Sequence, residues 1–194
     1  MKDLTNQLVK EIRLEAIKEI SKYGSPPLLL FEISEHHAIL LADKYNANKK
    51  VILAGSYLAD YKLGLALKQN RIQDHVKMSC ISARKLLKRL KIEDKISDEI
   101  IHCIEAHHGT IPYKSLEAEI VANADCYRFL TMRGVVGFIN NLSQRNDQDI
   151  NGIIKYVEQK ANEKWNVISL KEVKKELSVY YKEIQKLVYN AKNL

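Results

Sequence analysis

Hydrophobic residues recur along this chain every three to four positions, the spacing that places them on one face of an α-helix. The N-terminal segment shows this pattern at Leu4, Leu8, Ile12, Ala16 and Ile20. Similar patterns predict further helices over 28–45, 51–67, 74–90, 96–108 and 115–132, with two more helices closing the chain. The pattern therefore predicts an all-α protein.

Local signals refine three of these helices. Ser25 is predicted to cap the second helix, with Pro26 as its first residue. The segment 51–67 is apolar nearly all round at its start, as expected of a helix in the middle of a core. Ser169 and Glu172 have the spacing of a capping box, which predicts the start of the last helix.

The composition supports a helical fold with a substantial core. The chain has 194 residues, which suit one domain, or one domain with a helical extension. Hydrophobic residues make up 46%, whereas only 7 glycines and 3 prolines are present. Because tight turns need those residues, a few long helices are favoured over a many-stranded sheet.

The formal net charge is +7, but lysines and glutamates are interleaved rather than massed in one basic tract. This arrangement is typical of a solvated surface. No helix-turn-helix, zinc-finger or aromatic–basic pattern accompanies the charge, so we do not predict a nucleic-acid partner.

The cysteines and the hydropathy profile indicate a cytoplasmic protein. Cys80, Cys103 and Cys126 are odd in number, form no CxxC motif and lie in apolar helical contexts, so we expect free buried thiols in a reducing compartment. We find neither a signal peptide nor an apolar run long enough to cross a bilayer, and no membrane partner is predicted. Aromatic residues near the C-terminus either cover the core or form a contact in a homo-oligomer.

Two aspartates stand in apolar surroundings where a carboxylate is costly. Asp60 closes the run from Val51, and Asp125 is embedded in the segment 119–130. A buried carboxylate needs a cation as its partner. One alternative is an ion pair, of Asp60 with Lys62 or a nearby arginine and of Asp125 with Arg128 or another cation.

The other alternative is a metal site, because the segment between the two aspartates supplies His75, His102, His107 and His108. His107 follows Ile100 and Ile104 on the inner face of its predicted helix and is expected to point inward, either as a ligand or as a core histidine.

The order of these elements resembles the HD superfamily of metal-dependent phosphohydrolases. The segment 54–62, AGSYLADYK, is similar to the helix that carries the family's His-Asp pair, with Asp60 as its aspartate. The segment 104–108, IEAHH, and the segment 116–125, which ends in Ala-Asp, are similar to two further elements of the family. The resemblance covers about 28–132. It implies an HD-like helical domain over 1–133 and a C-terminal extension, 134–194, packed on that domain.

The resemblance implies a site and a reaction. Asp60, Asp125, His75 and His107 would be metal ligands, joined by His36, His37 or His108, and Asp60, His75 and His107 would be the catalytic residues. Lys62, Arg71 and Arg84 are candidates for binding the phosphates of a small phosphorylated substrate, with a nucleotide as the expected class. The cofactor would be Mn²⁺, Fe²⁺, Co²⁺, Ni²⁺, Zn²⁺ or Mg²⁺, which would activate a water for attack on phosphorus.

The chain also departs from the family pattern. Ala59 stands where the family has the histidine of the His-Asp pair, and alanine cannot bind a metal. An earlier family histidine has no counterpart at the expected place, where Glu32 comes nearest. The alternative function is therefore a degenerate HD-like protein without bound metal, which binds a phosphorylated ligand or a protein partner without hydrolysis.

Overall fold

The structure is a computed structural model that describes residues 1–144 and 149–193. Its ten α-helices are α1 (Asn6–Tyr23), α2 (Leu28–Lys44), α3 (Lys49–Ala59), α4 (Leu63–Lys68), α5 (His75–Arg89), α6 (Asp94–Ala106), α7 (Leu116–Leu130), α8 (Met132–Ser143), α9 (Ile150–Val167) and α10 (Lys171–Lys192). A short 3-10 helix, Ile72–Asp74, precedes α5. The described residues form an all-α bundle, as the hydrophobic pattern predicted.

The core is organised around α7. Twelve of its fifteen residues are buried, because α2, α3, α6, α8, α9 and α10 pack around it. Helix α3 lies beside it and crosses α6 so closely that a Cβ on Gly55 would come within 2.6 Å of the Cys103 side chain. Any side chain at position 55 would force α3 and α6 apart.

The single helix predicted over 51–67 is wrong, because the chain turns at Asp60. Helix α3 ends at Ala59, Asp60 is its C-terminal cap, and α4 begins at Leu63. The break places the Asp60 carboxylate at a helix end that faces α7, where its Oδ2 accepts a hydrogen bond from Arg128. Because of this turn, the Asp60 side chain becomes part of the candidate site.

Two predicted caps are also wrong. Helix α2 begins at Leu28 with Pro27 as its cap, so Ser25 does not serve in that role. Helix α10 starts after Leu170 with no side-chain cap. The Asn123 amide of α7 takes that place, since its Oδ1 accepts from the backbone amides of Ser169 and Leu170 and its Nδ2 donates to the Ser169 hydroxyl.

The C-terminal helices pack on the rest of the bundle: α9 contacts α7, α8 and α10. The boundary predicted at residue 133 falls in the first turn of α8. The loop predicted over 140–149 overlaps the end of α8, and its residues 145–148 lie outside the described part of the chain.

Among the described residues, no helix combines the length and the apolar character needed to cross a membrane. All three cysteines are buried and free, as predicted.

Candidate metal and phosphate site

One arginine joins the two aspartates that stand out in the sequence. Arg128 lies one helical turn after Asp125 on α7, and its Nη1 donates to Asp125 Oδ1 and to Asp60 Oδ2, both at 2.6 Å. The three side chains are almost fully buried. A guanidinium therefore occupies the space between the carboxylates.

Lys164 of α9 neutralises the second oxygen of Asp125. Its ammonium lies 2.7 Å from Asp125 Oδ2, although the lysine side chain is only 1% exposed. Both Asp125 oxygens thus contact protein cations. This arrangement corresponds to the ion-pair alternative for Asp125, and the cluster of described residues that could hold a metal ion does not include it.

Electrostatics keep this network ionised. Burial by itself would raise the pKa values of Asp60 and Asp125, but Arg128, Lys164 and the nearby histidines outweigh it and hold both well below their usual range. Burial opposes the charge of Lys164, yet the contact with Asp125 raises the pKa of the lysine. The network therefore persists as charged groups at neutral pH.

Backbone carbonyls fix the orientation of two histidines beside Asp60. His75 Nδ1 lies 2.7 Å from the carbonyl oxygen of Ile72, and His107 Nδ1 lies 2.7 Å from that of Ile104. A carbonyl only accepts hydrogen bonds, so each Nδ1 carries a proton, and in the neutral form of each ring Nε2 has a lone pair. This is the orientation that metal-binding histidines commonly have.

Both lone pairs lie close to the remaining oxygen of Asp60. His75 Nε2 is 3.5 Å and His107 Nε2 is 3.7 Å from Asp60 Oδ1. His107 Nε2 is buried and has no hydrogen-bond partner in the part of the chain that the structure describes. Acceptors that face each other in this way need a positive group between them, either a proton or a metal ion.

The spacing fits a small divalent ion. Ligand atoms about 2.0–2.2 Å from a tetrahedral metal lie about 3.3–3.6 Å from each other. Asp60, His75, His107 and His108 each offer one atom within 4.8 Å of all the others. Two imidazoles and one carboxylate form a donor set that suits divalent transition metals.

His108 has a different hydrogen-bond role from the other two histidines. Its Nδ1 lies 3.0 Å from the Lys164 ammonium and its Nε2 lies 3.0 Å from His75 Nε2. Because an ammonium only donates, Nδ1 is the acceptor and the proton of neutral His108 sits on Nε2. Burial lowers the pKa of His108 to about 2, which keeps it neutral. In this tautomer the His108 N–H donates to the lone pair of His75 Nε2, so a metal ion on His75 would have to displace that hydrogen bond.

A cavity of about 130 Å³ opens beside the cluster. Its charged and polar lining includes Asp60, His75, His108, Asp125, Arg128, Lys160 and Lys164. Its apolar lining includes Pro26, Leu63, Leu67, Ile72, Phe129 and Phe138. The cavity can therefore accept a small molecule with both an ionic and an apolar part.

The three residues predicted to bind phosphate do not line this cavity. Lys62 pairs with Glu19, Arg71 pairs with Asp74 and Arg84 pairs with Asp98. The cations that do line it are Arg128, Lys160 and Lys164, which the sequence had not indicated as phosphate ligands.

The candidate substitutes on α2 also lie elsewhere. Glu32 and His36 are exposed, and neither lines the cavity. His37 stacks on Tyr127 with ring centroids 3.6 Å apart. None of these residues belongs to the histidine–aspartate cluster found in the described chain.

We expect His37 to make stability fall in mild acid. Burial and the neighbouring His36 lower the pKa of His37 to about 4. Since an unfolded histidine titrates near 6.5, stability is fully present above that pH and is lost as the pH falls from about 6.5 to about 4. After allowance for partial exposure, the loss is about 1 kcal/mol.

Urea unfolding at pH 7.0 and 5.0 measures this loss. The His37→Asn variant should lose about 1 kcal/mol less than the wild type between the two pH values. An equal pH dependence in both proteins would contradict the assignment.

Comparisons with known proteins support the fold. No protein-family model matches this chain. A crystal structure of a Lactobacillus plantarum protein, solved as a structural-genomics target, superimposes with a TM-score of 0.74 at 14% sequence identity, over 98% of this chain and 97% of that chain. At such an identity the comparison shows the fold alone. The HD resemblance therefore stays a prediction.

Proposed function

We propose that this protein is a metal-dependent phosphohydrolase that acts on a small phosphoester. The observation that carries the proposal is His107 Nε2, which is buried without a hydrogen-bond partner among the described residues and lies 3.7 Å from Asp60 Oδ1, with His75 Nε2 at 3.5 Å from the same oxygen. Asp60, His75 and His107 would hold one divalent cation. Bound there, such a cation supplies Lewis-acid chemistry, because it polarises a phosphoryl oxygen and acidifies water.

The protein side chains supply orientation and charge. Arg128 fixes the Asp60 carboxylate through Oδ2 and leaves Oδ1 facing the histidines. The carbonyls of Ile72 and Ile104 hold the two rings with Nε2 toward Oδ1. Because these groups are positioned before any ligand arrives, little reorganisation accompanies the reaction.

A family-type metal bridging Asp60 and Asp125 does not fit these residues. Arg128 already joins the two carboxylates, Lys164 takes the other Asp125 oxygen, and Ala59 offers no donor atom. We therefore propose a centre with a single cation on Asp60, in which Arg128 and Lys164 provide the positive charge at Asp125.

The second candidate is a protein that binds a phosphorylated ligand without hydrolysing it. The compensation of Asp125 by Arg128 and Lys164 favours this candidate, because these residues need no metal to be stable. Within the described part of this site, Asp60 Oδ1 and His107 Nε2 are the facing acceptors that call for a further positive group.

A hydrolase screen separates the two candidates. The substrates are p-nitrophenyl phosphate, bis-p-nitrophenyl phosphate and nucleotides, each with Mn²⁺, Ni²⁺ or Mg²⁺. The proposal predicts turnover that a chelator abolishes and that added metal restores. Ligand binding without turnover under every condition would instead support the second candidate.

A further inference from the structure

One face of α9 forms a wall of the cavity. Tyr156, Lys160 and Lys164 are spaced four residues apart, which places them one above another on that face, and all three line the cavity. Lys164 is committed to Asp125 and His108. Among the described residues, Lys160 forms its ion pair with Glu163, which lies one turn further on the same helix and outside the lining.

The charges of the lining leave one cation in excess. Arg128, Lys160 and Lys164 face two carboxylates, Asp60 and Asp125, while Glu163 lies outside the lining. Arg128 and Lys164 hold these carboxylates directly. The Lys160 side chain is 23% exposed, so it is reachable by a ligand and is not fixed in the core.

Another part of the cavity lining is apolar. Pro26 and Pro27 precede α2, Leu63 and Leu67 belong to α4, and Ile72 lies in the 3-10 helix. No charged residue belongs to this group, so it favours hydrocarbon over a polar group such as a sugar. Because the cavity is small, it can enclose only a small part of a ligand.

We infer that Lys160 forms an anion subsite that holds the phosphate of a small phosphomonoester whose organic part is apolar. This inference rests on the proposed function, which identifies the cavity as the substrate site. The Lys160 ammonium would exchange Glu163 for the phosphate, while the organic part would lie against the leucines of α4. Lys160 is thus assigned to substrate binding and the metal cluster to chemistry.

Calorimetric titration of chelator-treated protein with inorganic phosphate and with phenyl phosphate tests the inference. We expect phenyl phosphate to bind about tenfold more tightly than inorganic phosphate, because its ring enters the apolar part. Lys160→Gln should weaken the binding of both by about tenfold, whereas Lys160→Arg should keep most of it. Lys155→Gln is the matched control, since Lys155 is exposed on the same helix and lies outside the lining.

Three results would overturn the inference. They are equal affinity in the wild type and Lys160→Gln, no binding of either anion with or without Mn²⁺, and tighter binding of adenosine monophosphate than of phenyl phosphate. The titration is independent of turnover. Binding that depends on Lys160 but is not followed by hydrolysis would contradict the proposed function and leave this inference standing. Hydrolysis with an unchanged KM in Lys160→Gln would contradict this inference and leave the proposed function standing.

Discussion

Replacing Lys164 by methionine should destabilise the protein by about 3–5 kcal/mol, because it leaves a buried carboxylate with one cation fewer. Methionine has a similar length, so little packing is lost. The ammonium, however, is 2.7 Å from Asp125 Oδ2 and 3.0 Å from His108 Nδ1, and the lysine side chain is only 1% exposed. Urea unfolding of the variant at pH 7 measures the effect.

Two companion variants make this result specific. Lys155→Met, on the exposed part of the same helix, should change the free energy of unfolding by less than about 0.5 kcal/mol. In the double variant Lys164→Met with Asp125→Asn, part of the loss should be recovered, because the unpaired charge is removed. If Lys164→Met were as stable as the wild type, Lys164 would not be the cation that serves Asp125.

His107→Gln should lower metal-dependent hydrolysis by at least about 100-fold. His107 is fully buried, and no donor among the described residues satisfies its Nε2. Removing this ligand takes one of three donors from the proposed cation, and changes even in supporting residues of metal sites cost about 10–100-fold. Turnover of p-nitrophenyl phosphate at saturating metal measures the loss.

His102→Gln is the control for this substitution. His102 lies on the same helix and is also buried, but it accepts a hydrogen bond from the Lys114 amide and stands outside the cluster. It should retain activity within about threefold. An active His107→Gln variant would exclude His107 from the metal site.

The sequence predicted the all-α fold because hydrophobic residues recur at helical spacing, regularly and over long segments. It also singled out Asp60, Asp125, His75 and His107, since a carboxylate or an imidazole on an apolar face needs a partner. The structure brings all four into one network. What the pattern could not supply was the break of α3 at Asp60, because no glycine or proline marks that turn.

The partners of the aspartates were harder to predict. Arg128 is three residues from Asp125, so helical spacing offered it as a partner, and it was named as an alternative. Lys164 lies 39 positions away on another helix, and its place in the sequence resembles that of any surface lysine. The only local signal was its position on the apolar face of α9 with Ile153, Val157 and Ala161. Long-range pairing of this kind depends on how α9 packs on α7.

The residues predicted to bind phosphate lie outside the cavity. The sequence could not show this, because their position also depends on how the helices pack. Lys62, Arg71 and Arg84 are close in sequence to the site elements, but nearby carboxylates pair with each of them outside the cavity. Closeness in sequence to a ligand does not place a side chain on the same side of a helix.

The proposed centre contains a single metal ion held by Asp60, His75 and His107. Plasma mass spectrometry of the protein, after incubation with Mn²⁺, Ni²⁺ or Zn²⁺ and removal of excess metal, tests it most directly. We expect close to one metal per chain in the wild type and in His102→Gln, and almost none in His107→Gln. Two metals per chain, no metal under any condition, or an unchanged content in His107→Gln would contradict it.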